Sequence, residues 1–174
     1  LAIMQFKIEG QLILEHPEFG MEKRLLLDKM DLQEGTVTVE GVSYPLRDTN
    51  FPTIDKENPY ALSAEEVQVM ERLTQAFLNC EKLQRHVRFL FTKGSLYKVY
   101  NGNLLYHGCI PMTENREFDG LMVGGKMYRG KELMDFIDTQ VKNAYFLPED
   151  APEKEACRDF MWYLWNGAKS PVFG

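Results

Sequence analysis

Apolar positions recur along this chain at two spacings, and the switches between them divide it into helices and hairpins. Residues 1–14 admit both: Leu1, Met4, Ile8 and Leu12 fall on one helical face, while Phe6, Ile8, Leu12 and Leu14 alternate as in a strand. The length of the segment and the stop at Pro17 favour a helix. A second helix is expected over about 19–30, with Met21, Leu25, Leu26 and Met30 facing inward. Residues 36–46 alternate with period two about Glu40-Gly41. A two-residue turn there sets Val39 opposite Val42 and Val37 opposite Tyr44, all on one half-buried face. Residues 48–60 carry Pro52 and Pro59 among polar residues and read as a connector.

Ser63-Ala64-Glu65-Glu66 has the serine–glutamate spacing of a capping box, and Val67, Met70, Leu73 and Phe77 follow at helical spacing. Helical character continues, with a break near Asn79, through Leu83, Val87 and Leu90, and Gly94 ends it. A hairpin over 95–107 turns at Asn101-Gly102, a pair that tolerates positive φ, and sets Val99 against Leu104 and Tyr97 against Tyr106. A third, over 121–128, turns at Gly124-Gly125. Residues 131–146 read as a helix with Leu133, Phe136, Ile137, Val141 and Ala144 inward, stopped by Pro148. The last helix is expected over 152–165, with Gly167 at its C-terminal cap. There is no internal repeat and no strand–helix–strand rhythm, so the fold class is α+β, several helices packed with local β-hairpins, in a single stretch over 1–174. The chain starts inside an apolar segment and stops just after a strong helix, so a piece of a longer polypeptide is expected, with no secretory leader at its start.

Composition narrows the function classes. Of the 174 residues, 44% are hydrophobic, enough for a core, and the formal charge of −6 argues against a nucleic-acid surface. The cysteines, Cys80, Cys109 and Cys157, are odd in number and widely spaced, which indicates neither a disulfide framework nor zinc and points to a reducing, cytoplasmic compartment. No apolar run approaches the roughly 20 residues of a membrane helix.

Candidate chemistry centres on the stretch from Asn103 to Pro111. An apolar strand delivers His107 to its carboxyl end, Gly108 follows at once, and a proline-ended turn comes next. A strand fixes the imidazole, a glycine admits close approach, and neutral imidazole is a good donor to divalent metals. A histidine that only caps a strand leaves the same pattern. Lys82, Arg85 and Arg88 lie three apart on one helical face, with Lys93 and Lys98 close by. In an acidic chain such a stripe can draw a phosphate, with Arg85, Arg88 and Lys93 as the substrate-binding candidates; a solvated helix face is the alternative. His86 reads as an ordinary helix histidine. His16 sits at a helix end, where a cation suits the dipole. Cys109 has no evident base beside it, so nucleophilic catalysis is not expected. Trp162 and Trp165, with Phe160 and Tyr163, are expected to pack the last helix against the rest.

Several stretches carry a resemblance. Gln5-Phe6-Lys7-Ile8-Glu9-Gly10-Gln11, Leu25-Leu26-Leu27-Asp28-Lys29, Asp48-Thr49-Asn50-Phe51-Pro52-Thr53 and Glu81-Lys82-Leu83-Gln84-Arg85-His86 all resemble class III fructose-1,6-bisphosphatase, of the calcineurin-like metallophosphoesterase group. So do Lys93-Gly94-Ser95-Leu96-Tyr97, the run from Tyr100 to Pro111, and Lys169-Ser170-Pro171-Val172-Phe173-Gly174. In that group a strand ends in a His-Gly pair whose histidine binds a dinuclear metal centre, and His107-Gly108 is similar to that pair.

The resemblance implies hydrolysis of the 1-phosphate of fructose 1,6-bisphosphate, a gluconeogenic step, by metal-activated water. Two divalent ions, manganese being the expected metal, would be bound, one of them by His107. It also implies a piece of a larger four-layer domain. The superfamily's Asp-x-His, Gly-Asp, Asn-His-Glu-like and late Gly-His motifs are absent from this sequence and are expected before Leu1 or after Gly174. No catalytic residue is therefore assigned within these residues, and the stretch alone is expected to be inactive and to hold no metal tightly. Its expected partners are the substrate and the missing N- and C-terminal parts of its own chain, with neither nucleic acid nor membrane. The rival reading is a non-catalytic interaction or regulatory module, with residues 48–60 making partner contacts and His107 incidental.

Overall fold

A computed structural model describes residues 2–173, which form two compact units that divide between Asn79 and Cys80. Helices and small antiparallel sheets make up both, so the class is α+β.

The first unit opens with α1 (Ala2–Glu15), the helical alternative for that segment. Its inward face is not the expected Met4–Ile8–Leu12 line, however; Met4, Lys7, Gly10 and Ile13 are buried, and Leu1 lies outside the described residues. Two tertiary contacts set that rotation. Lys7 finds acceptors in the interior, and the Tyr60 ring lies so close to Gly10 that a Cβ there would come within 2.0 Å of it.

The helix expected over 19–30 does not form. Three 3-10 turns, Pro17–Phe19, Glu22–Arg24 and Leu27–Lys29, occupy the region and lead into β1 (Met30–Asp31). Gly20, at φ 63°, closes the first turn in the left-handed region. Met21, Leu25 and Leu27 are the buried residues, at separations of four and then two that one helical face does not offer, while Leu26 is only half-buried. The Tyr60 hydroxyl donates to Asp28 and pins the last turn.

β2 (Thr36–Val39) and β3 (Val42–Pro45) pair in the expected register, Val39 with Val42 and Val37 with Tyr44, and β1 adds a third strand on the other side of β2. Glu40 and Gly41 have φ of 50° and 80°, as a type I′ turn requires. The apolar face is covered on β2 but open on β3, where Val42 and Tyr44 are exposed. α2 (Ala64–Leu78) starts at the expected capping box: Ser63 accepts from the Glu66 N–H, and the Glu66 carboxylate accepts from the Ser63 N–H at 2.8 Å.

The second unit begins with α3 (Glu81–Lys93), separated from α2 at Asn79 and ended by Gly94, as the pattern indicates. β4 (Tyr97–Tyr100) and β5 (Asn103–Tyr106) form the Asn-Gly hairpin in the expected register. A bridge between Met112 and Phe118 leads to the hairpin β6 (Gly120–Val123) and β7 (Lys126–Arg129), and then to α4 (Gly130–Phe146). α4 packs on α5 (Lys154–Asn166) to make the core of this unit.

Leu133 and Ile137 are wholly buried, worth about 1.5–3 kcal/mol each in apolar transfer. Met134 and Ala144 join them, facing Cys157, Phe160, Tyr163 and Leu164 of α5. Phe136 and Val141 are half-buried, and Phe136 stacks on Tyr128 at 4.2 Å and meets Phe160 edge-on at 5.7 Å. Trp165 does not pack as expected: it is 78% exposed, because it lies two residues, about 200° of helix, beyond Tyr163. Gly167 caps α5 with φ −73°, outside the left-handed region; a glycine is required because a Cβ would sit 2.3 Å from the Tyr163 ring.

Candidate functional site

The second unit holds His107 and the basic candidates Arg85, Arg88 and Lys93. β5 ends at Tyr106, and His107 follows on the surface with an exposed side chain. What secures it is the next residue. Gly108 adopts φ 76°, and a Cβ there would lie 2.3 Å from the Pro171 carbonyl oxygen. That approach lets the Cys109 N–H donate to the same oxygen at 2.9 Å. The Cys109 thiol also points at Ser170 O, 3.7 Å away.

The segment at 169–172 is itself anchored. Ser170 is fully buried and its hydroxyl donates to Leu164 O at 2.7 Å. Lys169 lies 3.0 Å from Asp119. That ammonium, with the Gly120 N–H, holds the Asp119 carboxyl below the ordinary range. Asp119 is therefore engaged by Lys169 and is not a free donor for a metal.

Among the described residues, no three His, Cys, Asp or Glu side chains are close enough together to hold a metal ion. The described residues thus do not by themselves make up a metal centre.

The basic candidates converge on a different feature. Arg85, Arg88 and Lys93 line one open cleft of about 480 Å³, together with Gln84, Phe89, Thr92 and Tyr145. Among the described residues none of the three cations is paired with a carboxylate. Lys82 and Lys98 lie outside the cleft lining. One wall comes from α4, where Tyr145 stacks on Phe91 with centroids 4.5 Å apart and planes 5° from parallel. Phe89 could have been read from the sequence, four residues after Arg85; Tyr145 could not, because only packing brings α4 to α3.

His86 is exposed on α3, as expected of an ordinary helix residue. His16 keeps a local role, with Nδ1 2.8 Å from Glu18 and its ring stacked on Phe19 at 4.8 Å. All three cysteines are free. No helix among the described residues is long and apolar enough to cross a membrane.

The family model for Firmicute fructose-1,6-bisphosphatase matches residues 1–174. The chain belongs to the Firmicute fructose-1,6-bisphosphatase family. Among its curated relatives, each named fructose-1,6-bisphosphatase class 3, the protein of Clostridium tetani is 52% identical over 174 residues, that of Clostridium botulinum strain Langeland 50% and that of Clostridium novyi 48%. Each alignment covers 100% of this chain and 26% of the relative, so the chain spans about a quarter of the length of these family members. No solved structure matches it significantly.

Proposed function

We propose that this stretch works within a longer polypeptide as part of a fructose-1,6-bisphosphatase, hydrolysing the 1-phosphate of fructose 1,6-bisphosphate in gluconeogenesis. The observation that carries this reading is the family match over the whole stretch, with relatives at about half identity that bear that name. The rest of the active site, and the metallophosphoesterase architecture around it, would come from outside residues 1–174, and the working compartment would be the cytoplasm.

Divalent ions, manganese being the proposed metal, would supply activation of water and neutralisation of charge at the phosphate when bound. His107 would hold one of them, its backbone held by β5 on one side and by the Gly108–Pro171 contact on the other. Arg85, Arg88 and Lys93 would hold a phosphate of the substrate, the guanidinium groups offering paired N–H donors to its oxygens.

The test is His107→Ala in the full-length protein. Bound manganese should fall and kcat should drop by orders of magnitude, about 10² or more, with the circular-dichroism spectrum unchanged. Residues 1–174 alone should neither turn over the substrate nor bind manganese tightly by calorimetry. Full activity in the variant, or tight manganese binding by the stretch alone, overturns the assignment.

A further inference from the structure

The basic cleft and the end of β5 lie toward opposite ends of α4. Tyr106, the last residue of β5, lines one pocket with Gly130, Lys131 and Met134, in the first two turns of α4. The cleft is walled by Tyr145, one residue before the end of the same helix. Met134 and Tyr145 are eleven residues apart, about 16 Å at the helical rise.

α3 gives a second ruler. Its last residue, Lys93, stands four residues before Tyr97, the strand partner of Tyr106. Arg88 and Arg85 lie five and eight residues before Lys93, about 8 and 12 Å back along the helix. The three cations therefore differ in position. Lys93 occupies the side of the cleft toward β5, and the two arginines form its far end. Both arginine side chains are exposed, and at a spacing of three they share a helical face from which both guanidinium groups can offer paired donors to one phosphate.

A phosphate bound to a metal on His107 would stay at the β5 side. A sugar bisphosphate carries its second phosphate at the opposite end of the molecule, toward the arginines. We infer that Arg85 and Arg88 hold the phosphate that is not cleaved, at C6 of the sugar, and so select the bisphosphate over a sugar phosphorylated at C1 alone. This assignment rests on the proposed reaction and on the cleft as a phosphate site; it adds which phosphate enters the cleft and makes the two arginines determinants of specificity.

Kinetics and binding on the full-length protein test this. In Arg85→Ala and Arg88→Ala, the preference for fructose 1,6-bisphosphate over fructose 1-phosphate, read as the ratio of their kcat/KM values, should fall about tenfold or more. Fructose 6-phosphate carries only the second phosphate and gives a readout without turnover. Calorimetry should show it binding the unmutated metal-loaded protein, and either variant should weaken that binding by a similar factor. An equal fall in kcat/KM on both substrates, with fructose 6-phosphate binding unchanged, overturns the inference: the arginines then meet the reacting phosphate, and the cleft remains a phosphate site. Unchanged values throughout remove the cleft from the substrate and the inference with it, while the hydrolase reading stands. An unmutated protein that turns over neither sugar removes the reaction and this assignment together.

Discussion

Lys7 is completely buried and donates to the Glu66 carboxylate at 2.8 Å, joining α1 to the first turn of α2. The carboxylate is fully engaged, for it also accepts from the Thr53 hydroxyl at 2.7 Å and from the Ser63 N–H at 2.8 Å. Removing one partner leaves the other charge buried and uncompensated. Lys7→Met should therefore cost about 3–5 kcal/mol in urea unfolding, and Glu66→Gln should also destabilise, with the added loss of the charge-assisted cap.

The same pair sets a pH dependence. Burial pushes the Glu66 carboxyl upward, but hydrogen bonds from Lys7, Ser63 and Thr53, together with the Lys7 charge, outweigh it and leave the carboxyl below its ordinary value of 4.5. A carboxyl whose folded pKa is depressed adds stability that is complete above the unfolded value. That stability is lost as pH falls through the folded one. The difference in stability between the unmutated protein and Glu66→Gln should be constant at neutral pH and shrink below about pH 4.5. A difference that grows on acidification contradicts this.

Gly10→Ala tests the seat of the Tyr60 ring. Alanine favours an isolated helix over glycine by about 1 kcal/mol. Here, though, its Cβ would lie 2.0 Å from the ring, so overpacking should win and the variant should lose roughly 1–3 kcal/mol. The Tyr60 hydroxyl offers an independent readout. Burial first, and then the hydrogen bond to Asp28, push its pKa up to about 12, from 10.0. The neutral phenol's contribution to stability is present below pH 10 and lost as pH rises toward 12. Burial also raises the Tyr163 pKa, so ultraviolet titration should show late tyrosinate formation, and Tyr60→Phe should remove one tyrosinate from that upper range.

Gly108→Ala should loosen the segment that carries His107. Alanine at φ 76° costs about 1–2 kcal/mol, and its Cβ would overlap the Pro171 carbonyl, which is backbone and cannot swing aside. Thermal unfolding of the full-length protein should show the loss. Its kcat should fall more than its KM rises, because the displaced residue is the proposed metal ligand and not part of the proposed phosphate cleft.

Arg85→Ala and Arg88→Ala address the cleft directly. A charged hydrogen bond to phosphate is worth about 1.5–3 kcal/mol, so either variant of the full-length protein should raise KM roughly tenfold or more. Both side chains are exposed, and neither variant should change the unfolding midpoint noticeably. Unchanged kinetics in both would return the stripe to a solvated helix face.

The signals read correctly from the sequence were those that act within a few residues. The capping box at Ser63, the type I′ turns at Glu40-Gly41 and Asn101-Gly102, and the registers they impose all depend on local backbone geometry and alternation. Arg85 and Arg88 share a face for the same reason, being three apart on a helix. What failed depended on contacts far apart in the chain. Lys7 turns inward because Glu66 and Thr53 wait there, and the helix expected over 19–30 gives way to tight turns that bury Leu27 and bring Asp28 to Tyr60. Tyr145 reaches the basic cleft, and Pro171 reaches Gly108, only once the second unit has packed. By itself the sequence determined the long helices, the three hairpins with their turns, and the family, because those are written in spacing and motif. Only the tertiary structure decided which faces are buried and which glycines are indispensable, because burial and close approach belong to pairs of segments and not to either one alone.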